Sequence, residues 1–546
     1  MMETAEIRKT RGAFFTPPPF CDFVSEWAIR DASDAVLEPS CGDAEFLWSA
    51  AWRLRALGAV LTEHGQIRGV DIHGASVLTA RARLQAADIA HTLEAADFFD
   101  VEATPIFDAV IGNPPFIRYQ SFSGEARAKA QRAALKQGVT LQGLANAWAA
   151  FVVHASAFLK PNGRLGLVLP AELLAVNYAA PVRQYLMRRF ASVRVLLFKP
   201  RVFPGVQEEI VLLLAEGQGP TDRCELYQAD SLAALRDLQS REWFPLRSED
   251  KWSAGLLPAD AVREYVRVST DPTFELLQSW GDTTLGMVTG NNRFFAITAA
   301  AAKAANLHQR DDLLAICPPS SRHLRGLSFY QRAWNEMHGT DGRVYLFYPR
   351  GDSPSDAAAK YIEHGETLGV DEAYKCRVRS PWWRVPMVAA PDLFLTYMNY
   401  DTPRLVANPS RFPHLNSVHG VRLRSDRRDL GASLLPIAAL NSITLLGAEL
   451  VGRSYGGGVL KVEPKEADRL PVPALETVNQ VAKELRALRP QLATFLRNSQ
   501  LLAAVKLVDR IVLTGNAGLS ASQIRVLRSA REALFSRRIA RAESKP

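Results

Sequence analysis

The stretch DAVIGNPPFIRYQ, residues 108–120, places two prolines directly after a run of apolar, β-prone residues. The run predicts a buried strand, and the prolines end it because neither can donate a hydrogen bond to a sheet. An Asn amide, a stiff turn with free carbonyls and an aromatic ring follow. They are compatible with simple strand termination or with a pocket for a flat group that carries an amine.

The first 220 residues alternate short β-prone runs with amphipathic helical segments. The predicted strands are DAVLEPS, QIRGVDIH, FDAVIGN, GRLGLVLP, SVRVLLF and EEIVLLLAE. The predicted helices include FCDFVSEWAIR, AEFLWSAAWRLRALG and NAWAAFVVHASAFLK, with apolar residues at three- and four-residue spacing. This alternation predicts an α/β fold with a mostly parallel sheet.

Three further β-prone runs and turns carry polar residues at their ends. The first run ends at Glu38 and turns through Gly42 into a helix, which is where doubly wound sheets bind nucleotides. The next ends at Asp71, whose carboxylate can accept hydrogen bonds from ribose hydroxyls. Asp97 and Phe98 offer an acceptor and an apolar face to an adenine ring. Each signal alone is typical of a turn, and the series indicates a nucleotide-like ligand.

The length of 546 residues exceeds a single hydrophobic core and predicts two or three domains. The regular α/β pattern fades after residue 220, and a turn-rich stretch with many Trp, Tyr and Arg residues follows. Near Thr477 the pattern becomes helical. We therefore divide the chain into residues 1–260, an irregular α+β domain at 270–475 and a helical segment at 476–546.

The net charge of +8 is concentrated at the end of the chain. From Thr477 onward there are 13 Lys and Arg against 4 Asp and Glu, whereas the rest of the chain is nearly neutral. This segment is compatible with a polyanionic partner or with a solvated helix face.

Several classes of protein are not indicated. No apolar run approaches the roughly 20 residues that span a bilayer, and the start of the chain lacks a signal-peptide pattern. The five cysteines form no CxxC pair and the ten histidines no cluster. We therefore expect a cytoplasmic protein with neither a disulfide framework nor a metal site.

Five segments together resemble a known enzyme family: RGAFFTPP, LEPSCGDAEFL, GVDIHG, ADFF and NPPF. They are similar to amino-methyltransferases that use S-adenosylmethionine (SAM), in particular to the gamma-class, TaqI-like DNA adenine-N6 methyltransferases of restriction-modification systems. TTLGMVTGNNRFFAIT at 283–298 and GRSYGGGVLKVEPKEADRLPVP at 452–473 resemble the opening and closing segments of that family's target-recognition domain.

The resemblance implies a fold for each part of the chain. Residues 1–260 would form a Rossmann-like, SAM-dependent catalytic domain with a mostly parallel seven-stranded sheet. Residues 270–475 would form an α+β domain that recognises the DNA target, and residues 476–546 a basic helical segment. Within the second domain, GNNRFF at 290–295, YKCRVRSPWWRVP at 374–386 and FPHLNSVHG at 412–420 mix Arg, Asn and aromatic residues, and any of them could approach DNA.

The resemblance also implies roles for individual residues. The catalytic motif would be Asn113, Pro114, Pro115 and Phe116, in which the Asn113 side chain and the Pro114 carbonyl accept hydrogen bonds from the target amine. The cofactor would contact Phe14, Thr16, Glu38, Ser40, Cys41, Gly42, Asp71, Ile72, Asp97, Phe98, Asn113, Pro115 and Phe151. Within that set, Glu38 would meet the SAM ammonium group, Asp71 the ribose and Asp97 the adenine amine.

Three residues would contact the substrate. Phe116 would stack on a flipped-out adenine, Phe203 would form a second aromatic wall, and Lys461 would meet the phosphate backbone. A core position remains an alternative for Phe203 and for Phe151. One departure from the family pattern stands in the cofactor loop, where a Gly-x-Gly turn is replaced by Gly42-Asp43-Ala44.

The predicted function is site-specific, SAM-dependent methylation of adenine N6 in double-stranded DNA, which protects host DNA. We expect a monomer without membrane association, and a cognate restriction endonuclease as a genetic rather than physical partner. Methylation of another NH2 group, in an RNA base or a protein glutamine, is one alternative. A non-catalytic DNA-binding subunit is another, although the intact Asn-Pro-Pro-Phe motif argues against it.

Overall fold

The protein folds into two compact units in the computed structural model, Met1–Leu256 and Leu257–Ala542, here called unit 1 and unit 2. The structure describes residues 16–62, 65–117, 122–142, 145–198, 210–229, 231–233, 241–243, 251–351, 353–455 and 457–543.

Unit 1 is built on one sheet. Its strands are β1 (Val36–Glu38), β2 (Ile67–Asp71), β3 (Thr92–Ala95), β4 (Phe107–Gly112), β5 (Leu159–Pro170), β6 (Ser192–Phe198), β7 (Ile210–Glu216), β8 (Cys224–Ala229) and β9 (Arg241–Trp243). Their order is β3-β2-β1-β4-β5-β7-β6-β8-β9. The pairs β1–β2, β1–β4, β2–β3 and β4–β5 are parallel, as is β6–β8.

The predicted α/β class is confirmed, and five of the eight strand pairs are parallel, but the predicted number of seven strands is not matched. Within the described residues the sheet has nine strands and is mixed, since β7 runs antiparallel to both β5 and β6, and β9 antiparallel to β8. Only eleven residues separate β6 from β7. A connection of that length suits an antiparallel pair, because parallel neighbours need a longer crossover.

The helices of unit 1 connect successive strands. They are α1 (Pro18–Ala28), α2 (Glu45–Ala56), α3 (Gly74–Gln85), α4 (Gly124–Lys136), α5 (Ala147–Ser156), α6 (Glu172–Ala175) and α7 (Ala180–Arg189). All ten residues of α5 are buried, and strands β4 to β7 are largely apolar on both faces. Such burial is typical of the centre of an α/β sheet that helices cover on both sides.

Unit 2 contains small antiparallel sheets. Its strands are β10 (Phe274–Leu276), β11 (Gly281–Leu285), β12 (Ala296–Ile297), β13 (Leu313–Ala315), β14 (Tyr345–Phe347), β15 (Leu393–Thr396), β16 (Met398–Asn399), β17 (Leu405–Ala407), β18 (Val418–Leu423), β19 (Arg453–Tyr455), β20 (Val459–Lys461) and β21 (Pro471–Pro473). They form the sheets β10-β21, β11-β18-β15-β17, β12-β14-β13 and β16-β20-β19.

Helices surround these sheets. They are α8 (Ala259–Ser269), α9 (Leu277–Trp280), α10 (Asn292–Phe295), α11 (Ala299–Ala304), α12 (Gln331–His338), α13 (Asp356–Thr367), α14 (Tyr374–Arg377), α15 (Arg428–Ala438), α16 (Ser442–Val451), α17 (Pro464–Ala467), α18 (Leu475–Gln480), α19 (Ala482–Arg497), α20 (Leu501–Asp509) and α21 (Ala521–Glu543). Within the described residues, no single helix is long and apolar enough to cross a membrane. Helices α15 and α16 reach that length and apolar composition only when taken together, and the chain bends by 88° between them.

Unit 2 has two hydrophobic cores. One lies around Phe294, Trp334 and Phe347. The other holds Trp280 and Leu435 together with Leu485, Val508 and Leu527 from α19 to α21. The helices after Thr477, which we assigned to a separate segment, therefore share a core with residues of the preceding domain.

Several arginines of the basic C-terminal segment are internal. Arg528 pairs with the buried Asp509 at 2.6 Å, and Arg538 on α21 makes a two-contact ion pair with Glu449 on α16, at 2.8 and 3.1 Å. The Arg538 and Glu449 side chains are 3% and 4% exposed. These arginines therefore hold helices together rather than forming a solvated face.

Replacement of Arg538 by Met is expected to lower the free energy of unfolding by about 3–5 kcal/mol, because Glu449 would stay buried without its partner. Denaturant unfolding followed by circular dichroism measures the loss. The exposed pair Arg332–Glu336 is the control, where Arg332→Met should change stability by about 0.5 kcal/mol at most. Equal losses at both sites would contradict the structural role of Arg538.

Candidate functional site

The polar residues predicted at strand ends meet at one edge of the unit 1 sheet. Glu38 ends β1, Asp71 ends β2 and Asn113 follows β4. Since β1 lies between β2 and β4 in parallel register, the carboxyl ends of the three strands are neighbours. The turn that begins at Asp97 follows β3, the next strand along the same edge. The topology thus brings together residues that are up to 75 positions apart in sequence.

The turn between β1 and α2 is held by Asp71. One carboxylate oxygen accepts the Gly42 N–H at 2.9 Å, and the other accepts the His73 N–H at 2.8 Å. Gly42 has φ +49°, and a Cβ built on it would meet no atom within 4 Å. The backbone of this turn is therefore open on the side where a ligand could approach closely.

Ala44 occupies the position of the missing second glycine. It adopts the left-handed conformation, with φ 67° and ψ 36°, immediately before α2. For a residue with a Cβ this conformation costs roughly 1–2 kcal/mol. Ala44 thus adopts a backbone conformation typical of glycine, and this conformation strains the turn.

Glu38 lies beneath this turn, almost completely buried at 3% exposure. Burial raises the pKa of its carboxyl well above the usual value, and the nearby Asp43, Asp71 and Glu45 raise it further, while the Leu47 N–H opposes the shift. Within the described part of the chain, its Oε2 atom is buried without a hydrogen-bond partner. A buried carboxylate with an open acceptor suits a cationic ligand.

The glycine that ends β4 makes room for this carboxylate. Gly112 has φ +153°, and an added Cβ would lie 3.3 Å from Glu38 Cγ. A larger residue would therefore have to shift the Glu38 side chain by a few tenths of an ångström and would be strained at this φ.

The Asn113 side chain is oriented by Thr16. Asn113 Nδ2 donates to Thr16 Oγ1 at 3.2 Å, and the Asn113 main-chain carbonyl accepts the Ser40 hydroxyl at 3.1 Å. Thr16 is itself buried, at 6% exposure. Two different parts of the chain thus fix the first residue of the Asn-Pro-Pro-Phe motif.

The rest of that motif forms a firm turn. Pro114 and Phe116 are buried, and Pro115 is half-buried. The following residue, Ile117, accepts the Ala147 N–H at 3.1 Å at the start of α5. The motif is therefore anchored at both ends, by Asn113 and by α5.

Phe98 and Phe151 pack against each other. Their ring centroids are 5.4 Å apart with an interplanar angle of 19°, and both side chains are less than 10% exposed. The carboxylate of Asp97 accepts the Phe99 N–H at 3.1 Å and caps the turn. Phe98 and Phe151 therefore belong to one aromatic cluster. This packing is compatible with a cofactor contact of Phe151 and with a purely structural position in the core.

The remaining predicted residues differ in their surroundings. Ile72 is 75% exposed, an unusual state for an isoleucine beside the strand-edge site. Cys41 is buried, which raises the pKa of its thiol and makes a thiolate nucleophile unfavourable. Lys461 lies in unit 2, paired with Glu463 at 2.9 Å. Phe14 and Phe203 lie outside the described residues.

His154 is a member of the site that the sequence did not reveal. Its Nε2–H donates to the Phe98 and Val101 carbonyls at 3.1 and 3.2 Å, and burial lowers its pKa, so that the ring is neutral. In the sequence, the signal for His154 was its position as a single histidine within an otherwise apolar predicted helix. Its partner could not be identified without the fold, because 53 residues separate it from Val101.

The electrostatics of the site favour a positive charge. Glu38, Asp43, Glu45 and Asp71 lie close together, and Arg83 provides one ion pair, with Glu45 at 2.7 Å. The site thus combines a cluster of carboxylates with an Asn amide and nearby apolar side chains. It can hold a cationic ligand on one side of Asn113.

Family models match two parts of the chain. Residues 80–203 match the Eco57I restriction-modification methylase family, and residues 249–513 match the C-terminal domain of the Type II methyltransferase M.Eco57I. The first match includes the Asn-Pro-Pro-Phe motif, and the second includes most of unit 2.

Individual relatives agree with these families. The chain is 22% identical to Type II methyltransferase M.AccI from Acinetobacter calcoaceticus, over 85% of each chain. It is 24% identical to Type II methyltransferase M.XamI from Xanthomonas campestris pv. amaranthicola, over 86% of each chain.

A solved structure shares the fold over nearly the whole chain. It is the Type IIL restriction-modification enzyme MmeI in complex with DNA, with a TM-score of 0.52 and 10% identity, covering 97% of this chain and 76% of the other. The resemblance to methyltransferases of restriction-modification systems that the sequence indicated is confirmed.

Proposed function

We propose that the protein transfers a methyl group from SAM to the N6 amine of a flipped-out adenine in double-stranded DNA, as the protective enzyme of a restriction-modification system. The observation that carries this proposal is the amide of Asn113, held by Thr16 at the same edge of the sheet as the cluster of carboxylates around Glu38. The Asn113 amide can bind an amine, and the carboxylates can bind a cation. An amine and a cationic methyl donor are the two reactants of amino-methylation.

The residues of the carboxylate cluster fit SAM. Its positively charged ammonium group would be held by Glu38, whose buried Oε2 has an open acceptor site in the described structure. The open face of Gly42 allows close approach of the backbone, and Ile72 offers exposed apolar surface to a flat ring. When bound, SAM supplies a methyl group attached to a positively charged sulfur.

The Asn-Pro-Pro-Phe turn prepares the amine for attack. The lone pair of adenine N6 is delocalised into the ring, so the amine needs acceptors that favour a tetrahedral nitrogen rather than a strong base. Asn113 Oδ1 and the Pro114 carbonyl would accept its two hydrogens. As the nitrogen bonds to the methyl carbon, the methyl–sulfur bond would break and leave a neutral thioether, so that the positive charge passes to the nitrogen. The same two oxygens would stabilise that charge until a proton leaves to water.

Thr16 has a positioning role in this mechanism. Its hydroxyl accepts a hydrogen bond from the Asn113 NH2 group and so fixes the orientation of the amide that is to receive the substrate amine. The Ser40 contact to the Asn113 carbonyl fixes the main chain at the same point. Phe116, and Phe203 by resemblance, would stack on the flipped base at about 1–3 kcal/mol per contact.

The central test uses labelled SAM, duplex DNA and the purified protein. Label is expected in DNA, and digestion to nucleosides should give N6-methyldeoxyadenosine. Asn113→Ala is expected to reduce the methylation rate by about 100-fold or more, because one of the two acceptors is lost.

SAM binding, measured by calorimetry, should be nearly unchanged in the Asn113→Ala variant. Label in RNA, in protein or in cytosine would contradict the adenine-N6 assignment. Full activity of Asn113→Ala would contradict the mechanism.

Glu38→Gln is expected to stabilise the SAM-free protein and to weaken its affinity for SAM. Removal of a carboxyl whose burial disfavours its charged form should raise the free energy of unfolding of the SAM-free protein by about 1 kcal/mol near pH 7. The gain should shrink as the pH falls from the raised pKa of Glu38 towards the usual carboxyl pKa, below which the group is protonated in both the folded and the unfolded protein. SAM affinity should drop by about 10–100-fold, because a charge-assisted hydrogen bond is lost. Unchanged SAM affinity would exclude Glu38 as the cation ligand.

Thr16→Val and Thr16→Ser distinguish positioning of Asn113 from cofactor contact. Valine keeps the shape but removes the acceptor, so the Asn113 amide can rotate, and we expect kcat to fall about tenfold at saturating SAM. Serine should restore most of the rate. A raised Kd for SAM with unchanged kcat would instead assign Thr16 to the cofactor alone.

A further inference from the structure

Three separated polar stretches of unit 2 meet at one place. Arg379 donates to the Thr289 carbonyl at 2.9 Å and also to the Val288 carbonyl. The Cys376 thiol donates to the same Thr289 carbonyl at 3.5 Å. A Cβ on Gly290 would lie 3.1 Å from Lys375 Cβ. The stretch 374–386 is therefore bound tightly to the loop that opens GNNRFF.

The third stretch joins through asparagine side chains. Asn292 Nδ2 donates to Asn416 Oδ1 at 3.3 Å, and the Asn292 oxygen accepts the Thr289 hydroxyl at 2.6 Å. The Asn416 main-chain N–H donates to the Met287 carbonyl at 3.0 Å. FPHLNSVHG therefore belongs to the same cluster, although more than 120 residues separate it from GNNRFF.

The outer side of this cluster is basic and partly apolar. In and after the short helix α14, Cys376 points inward, whereas Tyr374, Lys375, Arg377 and Val378 are exposed. Tyr374 is 65% and Val378 64% exposed, and the Lys375 ammonium lies 5.4 Å from the Tyr374 ring centroid. We call these four exposed residues the α14 surface.

The charges of the α14 surface are available to a partner. Among the described residues, neither Lys375 nor Arg377 takes part in an ion pair, whereas Arg379 is used internally. From Asp371 to Arg384 the segment carries four cations against two carboxylates. Available cations on an anchored backbone, beside exposed aromatic and aliphatic groups, complement the phosphates and sugars of a duplex.

We propose that the α14 surface is a docking site of unit 2 for the phosphate backbone of duplex DNA. The inference rests on the proposed function and names the part of unit 2 that meets its substrate. Lys375 and Arg377 neutralise phosphates, while Tyr374 and Val378 pack against sugars. Because phosphate contacts carry no sequence information, this surface sets affinity and register rather than the choice of target bases.

The test compares the double variant Lys375→Ala/Arg377→Ala with Lys483→Ala/Arg486→Ala. The second pair is also exposed, and it lies on α19, whose residues Leu485 and Leu492 belong to the other hydrophobic core of unit 2. A mixed-sequence DNA duplex of about 40 base pairs is titrated by fluorescence anisotropy, at salt concentrations from about 50 to 200 mM.

The α14 variant is expected to bind DNA about tenfold more weakly at the lowest salt concentration. The slope of log Kd against the logarithm of the salt concentration should decrease by about two. Its KM for DNA should rise while kcat and SAM affinity stay unchanged. The α19 variant should bind like the wild type. Thermal unfolding of both variants should match the wild type, since all four side chains are exposed.

Unchanged DNA affinity in the α14 variant, or an equal loss in the α19 variant, would overturn the inference. Weakened binding of an acidic peptide with unchanged DNA binding would overturn it in favour of a protein partner. Failure of the proposed function has a different signature, because a wild-type protein that binds DNA without methylating it would leave the docking result intact.

Discussion

The parallel pairing of β1 with β2 on one side and β4 on the other is the constraint on which the candidate site depends. Parallel strands that share a register end at the same edge, so residues placed after each strand must meet there. Glu38, Asp71 and Asn113 are neighbours for this reason alone. Gly112 leaves room for the Glu38 side chain at this edge, because a Cβ at that position would press against it.

This arrangement places an unfavourable group at the centre of the site. A buried carboxyl with a raised pKa and three acidic neighbours opposes folding at neutral pH, and the left-handed Ala44 adds strain to the turn above it. The contacts of Asp71 with the Gly42 and His73 N–H groups offset part of this cost locally. A cation bound at Glu38 would relieve the remainder, so ligand affinity and the instability of the free protein have the same physical origin.

Much of this site could be predicted from short-range sequence patterns. Hydrophobic runs identified β1, β2 and β4 to β7, and the residues after them identified Glu38, Asp71 and Asn113. The strands β3 and β8 were missed because they are only partly apolar, with Leu93 the one buried residue of β3. The contact of Thr16 with Asn113 could not be predicted, since it joins residues 97 positions apart and depends on the packing of α1.

The charged residues show most clearly what could not be predicted from the sequence. By count, the most basic part of the chain follows Thr477, yet Arg528 and Arg538 there are committed to buried carboxylates. Lys375 and Arg377, in a stretch with a smaller excess charge, take part in no ion pair among the described residues. Electrostatic attraction to a polyanion depends on cations that are not already neutralised. Ion pairing thus removes part of the charge that composition counts, while Lys483 and Arg486 of the C-terminal segment stay exposed, so the charge of a surface has to be derived residue by residue from the folded chain.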